Sequence, residues 1–129
     1  MEQFEFHPYD TTPAAPSGAA PPPSREWVTV EPGITQMTLN EDPATGRKTC
    51  LQRWEPNTVN VKENYVHTFA EEIFLVEGDL RDVKRTPETV WEKGADAYRK
   101  PGMDHGPFAS NKGCLIASSQ DSCMGREKL

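Results

Sequence analysis

The stretch Tyr65-Val66-His67-Thr68-Phe69-Ala70-Glu71-Glu72-Ile73-Phe74-Leu75-Val76-Glu77-Gly78, answered later by Gly94 to His105, decides how this chain folds. It sets a carboxylate, Glu71, four residues after a histidine, His67, and a second histidine, His105, follows the Pro101-Gly102 turn. Imidazole and carboxylate are metal-ligand types. Along a strand side chains alternate faces, so Tyr65, His67 and Phe69 share one face while Val66 and Thr68 share the other. Glu71 follows that strand, where a tight hairpin would swing it back towards His67, and Gly78 suits the next reversal. If the sheet closes so that Pro101-Gly102 lies opposite the first stretch, His67, Glu71 and His105 converge. Two imidazoles and one carboxylate can hold a divalent ion on one face and leave positions open for water, substrate or O2.

Working outward, the pattern from Trp27 onward is one of short strands punctuated by turn residues at the spacing of sandwiches and barrels. The expected strands are 27–30, 34–39, 48–54, 59–61, 65–69, 73–77, 80–84, 89–91, 97–99, 107–109 and 114–118. Between them stand Asp42-Pro43-Ala44-Thr45-Gly46, Glu55-Pro56-Asn57, Gly78-Asp79, Lys93-Gly94, Lys100-Pro101-Gly102 and Asn111-Lys112-Gly113, which carry Gly, Pro or Asn where turns need them. With 12 prolines and 9 glycines in 129 residues, long helices are not expected. The length suits one domain with a modest core.

Residues 13–24, Pro-Ala-Ala-Pro-Ser-Gly-Ala-Ala-Pro-Pro-Pro-Ser, are low in complexity and bury too little apolar surface to offset the entropy of ordering. They read as an extended tether, so residues 1–26 form an N-terminal arm, 27–119 the folded body and 120–129 a polar tail. The more aromatic Phe4-Glu5-Phe6-His7-Pro8-Tyr9 could dock on the body or on a second subunit.

A net charge of −6 argues against nucleic-acid binding, which needs clustered Lys and Arg. Three cysteines, Cys50, Cys114 and Cys123, fit neither a disulfide framework nor metal spacing, which points to a reducing, cytoplasmic setting. No secretory signal and no apolar run of about 20 residues is present, so no membrane association is expected.

The two stretches resemble the two motifs of the cupin superfamily, G-x5-H-x-H-x3,4-E-x6-G and G-x5-P-x-G-x2-H-x3-N. Counting back from Gly78 gives Glu71 and then His67 as the second histidine of the first motif, and Tyr65 stands where the first histidine belongs. In the second motif Gly94, Gly102 and His105 keep their spacing, Lys100 occupies the usual proline and Ala109 the final asparagine. The phrases Glu71 to Leu80, Tyr98-Arg99-Lys100-Pro101-Gly102 and Gly113-Cys114-Leu115 are similar to small cupins related to the metal-binding domain of anti-sigma factors, a group that also holds dioxygenases of small ketones. The resemblance covers roughly residues 27–119. It implies an all-β, single cupin-type barrel (a jelly roll, or double-stranded β-helix) with the Pro-rich arm in front, and it implies a homodimer built on edge strands.

The family's ligands carry over as His67, Glu71 and His105, with Tyr65 in the fourth place. A neutral phenol with a reference pKa near 10 is a poor ligand. Tyr65 is instead a candidate proton donor or acceptor, or a partner of metal-bound water. Glu71 is preferred over its neighbour Glu72, which a one-residue slip would face the other way. Arg53, Gln52, Arg99 and Asp104 are candidates for orienting a substrate oxyanion or carboxylate, with Arg53 set beside Tyr65 and Glu71 as catalytic, and alternation lets one of Gln52 and Arg53 face inward. Phe69, Phe74, Trp54, Trp91, Phe108 and Met103 read as core or pocket lining, and Cys114 as a buried small hydrophobe.

The function these features imply is that of a mononuclear metal enzyme acting on a small oxygenated substrate such as a β-dicarbonyl, enol or phenolic ketone. With Fe2+ the donor set suits a dioxygenase, while Zn2+, Mn2+ or Ni2+ would support isomerase, decarboxylase, lyase or cyclase chemistry with Tyr65 as acid or base. A non-catalytic metal- or ligand-binding module and a metal-free barrel are the rival readings.

Overall fold

The computed structural model describes residues 6–11, 25–60, 65–66, 69–84, 89–102 and 104–121, with the backbone alone at 65–66 and 104–105. All its regular structure is β: β1 (Val28–Glu31), β2 (Ile34–Glu41), β3 (Lys48–Trp54), β4 (Thr58–Val59), β5 (Tyr65–Val66), β6 (Ala70–Asp82), β7 (Val90–Glu92), β8 (Asp96–Arg99), β9 (Asp104–His105), β10 (Phe108–Ser110) and β11 (Cys114–Asp121). The strands curl in the order β1-β2-β3-β11-β6-β10-β4, with β7 and β8 also pairing with β6, and β5 and β9 form a separate ribbon. Every pairing is antiparallel. This is the barrel expected of a cupin.

The 13-residue β6 departs most from expectation. Gly78 does not reverse the chain. It sits inside the strand, at φ +86°, where a Cβ would lie 2.0 Å from the Gly113 carbonyl oxygen and 2.6 Å from Cys114 Cα. Before Gly78, β6 pairs with β8 and β11, and after it with β7 and β10. The register against β11 slips between Leu115, opposite Glu77, and Ile116, opposite Leu75, so a β-bulge precedes the glycine. The glycine thus lets one strand serve both walls of the barrel, with β11 crossing against its backbone.

Other expectations also shift. The segment expected at 59–61 is β4, Thr58–Val59, and Phe69 stands in a bend outside β5. The two-residue strand β9 was not anticipated. β11, expected over 114–118, runs on to Asp121.

The core joins Ile34, Trp54, Leu75, Leu80, Phe108, Cys114 and Ile116, with Ile73, Trp91 and Ala95 packed against it. Phe74 does not belong to it. Alternation along β6 turns Ile73 and Leu75 inward and leaves Phe74 47% exposed on the outer face. Cys114 is buried as expected, and burial pushes its thiol up to about 12, so it is inert as a nucleophile.

Asp79, the residue after the crossing point, locks the β10–β11 turn. Its carboxylate accepts hydrogen bonds from the Ser110 hydroxyl at 3.0 Å and from the backbone N–H groups of Lys112 at 2.8 Å and Asn111 at 3.3 Å. At the other end of the chain, the Arg25 guanidinium donates to the carbonyls of Pro8 and Thr11 at 2.8 and 3.0 Å, and Tyr9 meets Trp27 edge-on at 6.4 Å. Part of the arm therefore folds back on the body, while its Pro-rich stretch, 12–24, lies outside the described residues.

Candidate functional site

One cavity, of about 170 Å³, opens into the barrel where Glu71 and Arg99 face each other across β6 and β8. Its wall combines apolar core residues, among them Trp54, Ile73, Phe108 and Ile116, with the polar Gln36, Gln52, Asn60, Ser118 and Gln120 and the acidic Glu31. The volume lies below the roughly 300–1,000 Å³ of drug-sized ligand sites, so it suits a molecule of few heavy atoms.

Glu71 reaches this cavity by strand alternation, as the second residue of β6, and not through a hairpin after β5. It is 8% exposed, whereas Glu72 points outward to solvent. The register thus turns the Glu71 carboxylate inward and the Glu72 carboxylate outward. On the outer face Glu72 lies against Asp96, and a shared hydrogen bond and like-charge repulsion raise its carboxyl above the usual value.

Arg99 is buried, with a side chain only 10% exposed. Its Nη1 lies 3.7 Å from Glu71 Oε1, an ion pair too long for a hydrogen bond, and makes no hydrogen bond among the described residues. The guanidinium carbon stands 5.1 Å from the Phe108 ring centroid, a cation–π contact. Burial lowers its pKa, while Glu71 and Asp82 act to raise it. Leaving a buried donor unmade costs on the order of 1–3 kcal/mol, more for a charged group.

The amides on the wall are held in place. Gln52 donates to Gln36 Oε1 at 3.1 Å and accepts from the Trp54 indole at 2.7 Å, and Gln120 lies 3.5 Å from Glu71 Oε2. Asn60 is fixed on both sides, accepting from the Phe108 N–H at 2.9 Å and donating to Glu31 at 3.3 Å.

Of the other residues singled out by sequence, Tyr65 and His105 are register partners across β5 and β9, so the backbone brings the two motif regions together. Val66 likewise opposes Asp104. In sequence Tyr65 lies six residues before Glu71, and His105 three before Phe108. His67 and Met103 fall outside the described residues. No three His, Cys, Asp or Glu side chains gather among the described residues, a set that includes neither His67 nor the His105 side chain.

The structure does not bring Arg53 to this cavity. Gln52 takes the inward place on β3, and Arg53 lies on the outer face 5.1 Å over the Trp27 ring. Strand alternation permits one of the pair inside, and here it is the neutral one. Gln36, Asn60 and Gln120 escaped sequence reading. For Gln36 and Gln120 the signal was inward parity on strands that pair with Gln52 and Glu71, visible only once register is known, whereas Asn60 lies just past β4 and is placed by its bonds to Phe108 and Glu31.

The sequence model described as ChrR cupin-like domain matches residues 19–123. No curated protein matches the chain significantly. Among solved structures, the fold is similar to an RmlC-like cupin from Shewanella frigidimarina (TM-score 0.63, 15% identity, 76% of this chain and 84% of that one). It is also similar to an acetylacetone dioxygenase from Acinetobacter johnsonii (TM-score 0.60, 16% identity, 72% and 66%). A third likeness is to the polyketide cyclase RemF from Streptomyces resistomycificus (TM-score 0.60, 18% identity, 76% and 74%). At these identities the structures share the fold with this chain, and the extent of the sequence match gives the family. The chain belongs to the ChrR cupin-like domain family.

Proposed function

We propose that this protein is a mononuclear metal-dependent enzyme acting on a small oxygenated organic molecule of the β-dicarbonyl, enol or phenolic ketone class. The observation that carries the reading is the pairing of the two motif regions, Tyr65 opposite His105, together with the inward carboxylate of Glu71 on the cavity wall. His67, Glu71 and His105 would hold a divalent ion, Fe2+ or Zn2+ before Mn2+ or Ni2+, as a two-imidazole, one-carboxylate set with positions left open. The donor chemistry fits, because Glu71 is a buried carboxylate within the wall and the long contact to Arg99 leaves no direct hydrogen bond between the two. When bound, the ion supplies Lewis-acid stabilisation of an enolate oxygen, and with iron O2 chemistry as well.

The residues of the chain bind, orient and exclude water. Trp54, Phe108 and Ile116 give the substrate carbon skeleton an apolar seat. Gln52, held by Gln36 and Trp54, and Asn60, held by Phe108 and Glu31, present amides of fixed orientation. Tyr65 is the proposed acid or base, next to His105 in register. Likeness in fold to an acetylacetone dioxygenase and to a polyketide cyclase supports both the oxidative and the non-redox branch. A metal-free barrel is the second reading, favoured by the Arg99 cation already beside Glu71.

The test is O2 uptake by iron-loaded protein with a panel of small diketones, beside product analysis of zinc-loaded protein without O2. Uptake stoichiometric with substrate loss supports the dioxygenase branch. Conversion without uptake supports the cyclase or lyase branch, and no conversion by any preparation counts against the enzyme reading.

A further inference from the structure

The guanidinium of Arg99 is the one cation on the wall of the cavity as described, and the strands put it there deliberately in register, directly opposite Glu71. A buried arginine that served only to fix Glu71 would close a hydrogen bond to it, yet the closest approach is 3.7 Å and Nη1 has no hydrogen-bond partner among the described residues. Phe108 covers the group at 5.1 Å and helps to keep water away. The other wall groups are neutral amides, the Ser118 hydroxyl or apolar side chains, apart from the carboxylates of Glu71 and Glu31, with Asp82 also acting on it through space.

We infer that Arg99 anchors a carboxylate of the substrate, so that the natural substrate is a small keto acid and not a neutral diketone. The inference rests on the reading of this cavity as the active site and narrows its substrate class. A planar guanidinium suits a carboxylate, which accepts paired N–H donors, and the match gives orientation as well as attraction. The 3.7 Å separation from Glu71 leaves Nη1 of Arg99 without a hydrogen-bond partner among the described residues, so its N–H groups can take up a second carboxylate. With the carboxylate on Arg99, the substrate's keto oxygen is directed along the wall towards Glu71. The small volume agrees with an acid of few carbons. Strand β8 explains why an arginine is tolerated at this depth: its alternation places Tyr98 outward and Arg99 inward, and Glu71 offsets part of the burial cost.

The experiment compares acetoacetate with acetylacetone, which has nearly the same shape and replaces the carboxylate by a neutral acetyl group. Binding is measured by calorimetry on the full chain, as isolated and after incubation with Zn2+, for the wild type, Arg99→Gln and Arg99→Lys. Thermal melting of each variant establishes that it is folded, and metal content is measured on every sample. The wild type is expected to prefer acetoacetate by at least about tenfold, since a site built for a polar partner rejects an analogue lacking it. Arg99→Gln weakens acetoacetate binding at least about tenfold more than acetylacetone binding, so that the preference disappears, and Arg99→Lys recovers part of it. Equal binding of the two probes by the wild type, no acetoacetate binding in either state, or a preference that survives in folded Arg99→Gln would overturn the inference. Metal content separates the two claims: a wild type that prefers acetoacetate but holds no metal sinks the metal reading and keeps this one, and a metal-loaded protein without the preference does the reverse.

Discussion

Asp79 holds the barrel's far turn with a charge. Burial alone would raise its carboxyl, but hydrogen bonds from Lys112, Ser110 and Asn111 and the nearby Lys112 charge outweigh that and bring it below the usual carboxylate value. A group depressed in the folded state adds stability that is present in full above its unfolded value, near 3.9, and is lost as the pH falls through the folded value. Asp79→Asn should therefore cost on the order of 1–3 kcal/mol at neutral pH by chemical denaturation. The gap between variant and wild type should shrink below about pH 4, in step with the carboxyl's own titration. A gap constant down to pH 3 would mean that the charge plays no part. At this scale sequence spoke clearly where one residue had a motif distance to keep. The count back from Gly78 singles out Glu71, and Glu71 is the one of the two adjacent carboxylates that the strand buries. Arg53 and Phe74 were misplaced because adjacent residues on a strand differ only in parity, which composition does not reveal.

At the scale of elements, β6 and its glycine organise the barrel. Gly78 was legible as a special backbone position but not as a bend within one strand, because a turn and a sheet-crossing bulge ask for the same residue. What distinguishes them is the β11 backbone lying against it, a contact between residues far apart in sequence. Gly78→Ala should destabilise by more than about 3 kcal/mol or prevent folding, since a methyl group has no space beside the Gly113 carbonyl and the positive φ adds strain. Gly94→Ala is the control. It also has a positive φ, +92°, but nothing lies within 4 Å of its added Cβ, so it should lose only about 1–2 kcal/mol. Equal losses by denaturant titration would remove the packing argument. The short ribbon of β5 and β9 was half legible. Tyr65 began an expected strand, whereas a two-residue strand at Asp104 leaves too little pattern to find.

For the whole molecule, the barrel was legible because the cupin spacing between glycines, His67, Glu71 and His105 spans both halves of the sheet. The cavity was less so, since its polar wall is assembled from residues far apart in sequence, most of them at inward positions of separate strands. Phe74, Val76 and Tyr98 leave an exposed apolar strip on the outer face, 47%, 41% and 51% exposed. We expect a homodimer using this strip. Light scattering should give twice the 14.4 kDa chain mass, and Phe74→Lys should return it to the monomer value. A wild-type mass of one chain would refute the dimer.

The central claim is that His67, Glu71 and His105 form a metal centre at the barrel cavity. Elemental analysis of the wild type, His67→Ala, Glu71→Gln and His105→Ala after growth with iron and zinc tests it most directly. The account predicts about one divalent ion per chain in the wild type and less than about a tenth of that in each folded variant. A wild type holding no more than a few per cent of an ion, or variants that keep the wild-type content, would contradict it.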